Sequence, residues 1–541
     1  MLPWQELARQ KREQRDALFP KEWLIPSSEL PDPSIKNVLP IIPKFLTTEE
    51  DAITGTLGHQ IVKKTVAGEW TAEQVIKAFC HRATVVHQLT NCLTEVFFDV
   101  ALKRAKELDE HLQRTGKSVG LLHGLPISLK DQFNVEGIPC SMGYVAAINR
   151  MPKRNSVLVQ ALLDAGAIVY VRTNLPQALM LGSSVNNIFG ETCHPANRTL
   201  TPGGSSGGEA ALVLAGGSPL GVGTDLGGSL RDPSSWCGLY ALRPSNGRIP
   251  YEGAENSMFG QESIRSAAGP MTRSVEDVEL FFKAVVGQET WKDDPQVIPM
   301  PWRDLPIQPR YHFGVFLDDG VTTYHPPVRR AMQLVVDKLR AQGHEVLEVD
   351  AYQLRRQHDM VLKFYFADGG KETQRMLDKA GEPWVPVLEP LMKRPELEVS
   401  VMEYWDMNAE RDAYRKEFSD WWKETNSRFE GGIMDCLLCT GLPMTAVPLG
   451  APDAYHWEST GFVVPYIDYV GGIVPVLQAD PILDPVDKNF KPRSDLDMEL
   501  HNLYDPEAYQ GGWAGVQIVG RRLEEEKVLN IMKKVDEALK S

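Results

Sequence analysis

Two serines stand in glycine-rich nests within one stretch, "TPGGSSGGEAALVLAGGSPLGVGTDLGGSLRDP", Thr201 to Pro233: Ser205 in the first nest and Ser229 in the second. Glycine serves where backbone turns sharply or brings N–H groups close to an anion, so each nest predicts exposed amides around a hydroxyl. A serine hydroxyl is a weak nucleophile. It needs a base within hydrogen-bond reach and donors where an oxyanion forms. Ser229 has candidate donors, because the amides of Leu226, Gly227, Gly228 and Ser229 share one turn leaving a predicted strand. By itself, Gly-Gly-Ser is more often an ordinary tight turn.

The first nest, Gly203 to Gly207, also satisfies G-x-S-x-G, the nucleophile elbow of α/β-hydrolases. That motif requires an apolar strand before it and a histidine base after it. Here "ANRTLTPGG" precedes it, and none of the twelve histidines lies in a recognisable catalytic motif. A base of another type is Lys130 in "GLPISLKDQF". Strand alternation puts Leu125, Ile127 and Leu129 on one side, with Ser128 and Lys130 on the other. Lysine acts as a base only when burial or a neighbour lowers its proton affinity; most lysines at strand ends reach solvent instead.

The elements that must carry these residues alternate in type. "TAEQVIKAFCHRATVVHQL" opens on Thr71 as an N-cap and has apolar residues at helical spacing, as does "VALKRAKELDEHLQRTGK". "LPISLKDQF" and "AIVYVRTN" predict buried strands, with the helix "SVLVQALLDAGA" between them. Ser206 and Glu209 have the form of a capping box opening a helix that stops at Gly216-Gly217; "PLGVGTD" then predicts a strand. Ser274 and Asp277 mark a further capped helix, Val328 to Gln342 another, and "HEVLEVD", "IMDCLLC" and "AGVQIVG" late strands. The alternation predicts an α/β fold. Residues 1–65 read as an arm, a charged helix followed by a proline-punctuated extended stretch, and residues 66–541 as the catalytic domain, with 371–429 a helical insertion.

A formal charge of −15 on 541 residues supplies no basic stripe for nucleic acid. The basic run Lys11 to Arg15 is interleaved with Glu and Gln and reads as a solvated helix face. No apolar leader or membrane span is evident, and the seven scattered cysteines fit reduced thiols, so a cytoplasmic protein without membrane anchor is expected. Cys436 and Cys439, a lone C-x-x-C, read as core residues, and the sequon at Asn197 carries little weight without secretion. "GVGTDLGG" lacks the order of a dinucleotide-binding loop.

The long glycine-rich stretch resembles the signature of the amidase signature family of serine hydrolases. The likeness extends through "GLPISLKD", "VRTN", "FGET", "AAGPMTRSVEDVELF" and "GVQIVGRR", from about Thr71 to Ala538. The resemblance implies a large mixed, twisted sheet covered by helices on both faces. It further implies a Ser–cis-Ser–Lys triad: Ser229 as nucleophile, Ser205 as proton relay after a cis peptide, Lys130 as base. The Leu226–Ser229 turn is then the oxyanion hole, Ser206, Asp225 and Arg231 support it, and Met180 and Ser205 contact substrate. Metal and cofactor are not expected. The arm, with "GSPLGVGTDLGGSLR" and "SNGRIPYEG", is most similar to fungal acetamidase-type amidases, implying small aliphatic or aryl amides, with a homodimer a possibility. The alternatives are a glutamine-dependent amidotransferase subunit and a fatty-acid amide hydrolase. One departure is Cys193-His194-Pro195, where many members carry Asn-Pro.

Overall fold

The apolar runs rich in β-branched residues form strands because their side chains pack on a pleated surface buried on both faces. The computed structural model describes residues 2–451 and 460–541. The described strands are β1 (Leu93–Val96), β2 (Pro126–Lys130), β3 (Ile168–Thr173), β4 (Val185–Asn186), β5 (Gly190–Glu191), β6 (Leu220–Asp225), β7 (Tyr240–Arg243), β8 (Ala267–Thr272), β9 (His312–Val315), β10 (Glu345–Glu348), β11 (Cys436–Cys439), β12 (Val470–Gln478) and β13 (Trp513–Gly520). β4 and β5 form a small hairpin; the other eleven make one sheet in the order β1-β3-β2-β6-β8-β7-β12-β13-β11-β9-β10. The sheet is mixed. β2 runs parallel to β3 and β6, whereas β6, β8, β7, β12, β13 and β11 pair antiparallel in turn.

Helices cover both faces. On one side Ala72–Thr90, Phe98–Thr115, Val275–Val286, Pro326–Ala341 and Glu525–Lys540 contribute to the largest apolar cluster; on the other, Leu354–Tyr365, Val401–Asn426 and Val463–Ile467 build a second. β11 shows the division, with Cys436 and Leu438 in the first cluster and Leu437 and Cys439 in the second. The two cysteines therefore point to opposite faces of the sheet and cannot share one metal ion.

The local signals behave unequally. Thr71 caps its helix reciprocally with Gln74, and the Ser274 hydroxyl accepts from Asp277 N–H. Ser206 does not form the expected capping box. It sits at the N-cap of the helix Gly207–Leu214 without a side-chain cap bond, because Glu209 turns inward to Ser128 and Thr173. β8 is hard to find from sequence because it contains Pro270. Pro270 stands opposite Val222 within the ladder to β6 and beyond the two-residue ladder to β7.

The arm begins with the helix Trp4–Asp16, which lies against edge strand β1. Here the solvated-face expectation is wrong: Lys11 and Arg15 are each only 5% exposed. Their i, i+4 spacing places both on the inner side, where Lys11 pairs with buried Glu95 and Arg15 donates to the Leu93 carbonyl at 2.8 Å. Further on, Val38 N–H donates to Pro195 C=O at 2.9 Å and Arg198 N–H to Lys36 C=O at 2.8 Å. The arm's extended part is thus tied to the loop that carries Cys193-His194-Pro195.

Candidate active site

β2 ends at Lys130, and the alternation read from sequence puts Ser128 and Lys130 on one side of the strand. Ser128 Oγ reaches Glu209 and Lys130 Nζ reaches Ser205 Oγ at 2.7 Å. The parallel register Ser128↔Gly221 and Leu129↔Val222 carries Lys130 toward the end of β6, where its Nζ also meets Thr224 Oγ1 at 2.9 Å. Lys130 has no solvent exposure. Burial lowers its pKa to about 7 against the opposing pull of Asp225 and Glu209, so a neutral amine is accessible near neutral pH. Burial likewise raises Glu209 to about 8.

The first nest leads from the turn at Pro202 into the helix Gly207–Leu214. The Gly204–Ser205 peptide is cis, as the resemblance implies. Ser206 links the two nests: its N–H donates to Ser229 C=O at 3.1 Å, and its Oγ accepts from Thr224 N–H at 3.3 Å. This brings the turn after β6 against the loop that holds Ser205.

The second nest is braced from below. Arg231 Nε lies 2.8 Å from Asp225 Oδ2 and Nη2 lies 3.0 Å from Oδ1, with both side chains fully buried. Burial pushes the Asp225 carboxyl up, but Arg231, then Arg243 and the Gly228 amide outweigh it and hold it below the usual carboxylate range. Arg231 Nη1 continues to Gln517 Oε1 at 2.6 Å and so ties the turn to β13. Gly228 has φ +136°, and a Cβ there would lie 1.8 Å from Asp232 Oδ2, so only glycine fits. Its N–H donates to Asp225 Oδ1 at 2.9 Å. Of the four amides expected to face an oxyanion, that of Gly228 is thus committed to Asp225. Those of Leu226, Gly227 and Ser229 have no hydrogen bond among the described residues.

Ser205 and Ser229 share a constricted cavity of about 10 Å³, room for about one water. Its wall includes Met180 and the neighbouring Ala178 and Leu179. Sequence reasoning missed Asn256, Ser257, Met258 and Ser266, which arrive from the loop before β8 and carry no motif. It also missed Thr224 and Gln132, whose side chains meet at 2.6 Å behind Lys130. The strand alternation in "GVGTD" was the available signal for Thr224. Tyr365, from the helix Leu354–Tyr365, donates to Leu226 C=O at 3.1 Å and is tied to no local pattern.

No histidine lines the cavity among the described residues. His194 is buried elsewhere: Nδ1 accepts from Ala196 N–H, so Nε2 donates to Trp236 C=O at 3.0 Å, and burial lowers its pKa to about 4. The Cys193-His194-Pro195 departure therefore braces a loop. Asn197 is buried, with Nδ2 donating to the Ala508 and Gln510 carbonyls, which leaves it unavailable to a glycan.

The family model described as Amidase matches residues 74–529. The chain belongs to the amidase family. This amidase is 40% identical over 544 residues to an acetamidase of Emericella nidulans, covering 99% of this chain and 98% of that protein. It is 37% identical over 544 residues to an acetamidase of Aspergillus oryzae, with 99% of each covered. Among solved structures it is similar to a fatty acid amide hydrolase, with a TM-score of 0.92 and 34% identity over 99% of this chain and 95% of that one. The amidase is accordingly a hydrolase acting on amide C–N bonds. Among its described residues, no helix is long and apolar enough to cross a membrane.

Proposed function

We propose that this amidase hydrolyses small carboxylic amides, acetamide among them, through an acyl-enzyme on Ser229. The observation that carries the reading is a buried lysine with its proton affinity lowered to about 7, set 2.7 Å from Ser205 and beside the Ser229 turn. Neutral Lys130 accepts the Ser205 proton, Ser205 accepts that of Ser229, and Ser229 Oγ bonds to the amide carbonyl carbon. The amides of Leu226, Gly227 and Ser229 receive the oxyanion. Collapse breaks the C–N bond, and the proton returns from Lys130 through Ser205 to the leaving nitrogen. Water then adds to the acyl carbon under the same base, releasing the acid and free Ser229.

The similarity to acetamidases over nearly the whole chain supports a small acyl group. A second reading has its own observation. Met258 lines the catalytic cavity and also an apolar groove of about 320 Å³ walled by Phe259, Phe364, Tyr365, Val399, Val401 and Tyr404. A shift of Met258 would join the two and admit a longer acyl chain, as suits the similarity to a fatty acid amide hydrolase.

The test is ammonia release by the isolated chain from acetamide, benzamide and longer alkyl amides, with peptide mapping after a serine-directed sulfonyl fluoride. Label on Ser229 with loss of acetamide turnover supports the first reading. Turnover confined to long-chain amides supports the second. Label on Ser205 overturns the role assignment, and glutamine turnover that needs an added subunit would make the chain an amidotransferase component.

A further inference from the structure

Behind Lys130 a chain of hydrogen bonds has its direction fixed from one end. The Glu255 backbone carbonyl can only accept, and it takes a bond from Gln132 Nε2 at 2.6 Å. That contact settles which end of the Gln132 amide is nitrogen, and Tyr251 Oη lies on the same nitrogen at 3.3 Å. Gln132 Oε1 therefore faces Thr224, whose hydroxyl donates to it at 2.6 Å. With its proton spent there, Thr224 Oγ1 is left to accept, and it takes an N–H of Lys130 at 2.9 Å. Gln132 is wholly buried and Thr224 nearly so, and the Gln132 backbone is clamped by Glu255 N–H at 2.9 Å, so the arrangement has little freedom to invert.

The consequence falls on the far side of Lys130. A neutral amine has one lone pair. Thr224 has no proton to offer it, so the Ser205 hydroxyl at 2.7 Å is the group that can donate to it. We infer that Gln132 is a positioning residue for amide hydrolysis: through Thr224 it fixes the polarity of the Lys130 hydrogen bonds, reserving the lysine lone pair for the Ser205 proton. The inference rests on the triad roles proposed above and deepens them. Gln132 does not line the catalytic cavity, so its contribution belongs to proton transfer and not to substrate binding. The carboxyl groups facing Lys130, Asp225 at the end of β6 and Glu209 on the helix Gly207–Leu214, are separate from this chain.

The test uses Gln132→Met, which keeps the volume and removes the acceptor. Thr224 is then free to turn its proton onto the lysine lone pair in competition with Ser205. The expected result is a kcat lower by about tenfold or more with KM within about twofold, per enzyme labelled at Ser229. Because a donated hydrogen bond favours the neutral amine, the acid limb of kcat/KM moves to lower pH. In a Thr224→Val background, Gln132→Met should cost nothing further, since the residue through which it acts is already gone. Should Gln132→Met fail to fold, Gln132→Glu reads the same link from the other side: a carboxylate there moves the acid limb to higher pH. Labelled, active wild type with Gln132→Met at wild-type kcat, effects that multiply in the double variant, or an unmoved limb in Gln132→Glu overturns this inference alone. A wild type that takes no label at Ser229 and releases no ammonia overturns it together with the proposed function.

Discussion

Lys130 Nζ stands 2.7 Å from Ser205 Oγ at a point with no solvent exposure, on a strand whose register against β6 leaves the amine between two nests of glycine. Burial opposes the charge of an amine in that position more than Asp225 and Glu209 support it, which brings its pKa down to about 7. The mechanism proposed above requires the neutral form, so kcat/KM should rise with pH through an acid limb near pH 7. A pH–rate profile checks this, and Lys130→Met should be inactive at every pH on the profile.

The same shift predicts a stability effect of opposite character. The unfolded chain holds the Lys130 proton up to about pH 10.4, whereas the folded chain releases it from about 7 upward. Between those values the unfolded state binds more protons, so this group's penalty shrinks as pH rises. Lys130→Met should therefore raise the melting temperature at pH 7, with the gain fading toward pH 10. Thermal unfolding at several pH values measures it.

Ser229→Ala should lower turnover by at least about 10³-fold while leaving the melting temperature close to that of the wild type, because the residue lines the cavity at the site and belongs to none of the apolar clusters. Loss of sulfonyl fluoride labelling in the same variant ties the activity to that oxygen. Ser205→Ala should retain label at Ser229 at a much reduced rate.

Arg231→Ala should destabilise the fold by about 3–5 kcal/mol, since it leaves the buried Asp225 carboxylate without its principal partner. Denaturant unfolding reads this directly. Asp225 holds its proton less tightly in the folded state, so its stabilisation is present above the ordinary carboxylate pKa and is lost as pH falls below it. The gap between wild type and Arg231→Ala should accordingly close in acid.

Met258→Ala should widen the junction between the catalytic cavity and the apolar groove. The expected outcome is a lower KM for hexanamide relative to acetamide, with the acetamide kcat reduced by less than about tenfold. A panel of straight-chain amides checks the ratio.

Much of the scaffold was legible along the chain because the signals are local. Thr71 with Gln74, Ser274 with the Asp277 amide, the alternating run of β2 and the β-branched run of β3 each act within a few residues, and each forms the element expected. Local signals misled where a distant partner outbid them. Glu209 left its capping position for Ser128 and Thr173, and Lys11 and Arg15 turned inward to β1.

By itself, then, the sequence determined the glycine nests, the strand that alternates Ser128 with Lys130, and the motifs that carry the resemblance to amidases. The tertiary structure alone decided that Lys130 is dehydrated, that Gln132 points its oxygen at Thr224, that Gly228's amide belongs to Asp225, and that the cavity at the serines is narrow. Those properties depend on sheet register and on side chains from Asn256 to Ser266 and Leu354 to Tyr365 meeting residues far away in the chain. Proton affinity follows from what surrounds a group in space, and a linear pattern does not record it.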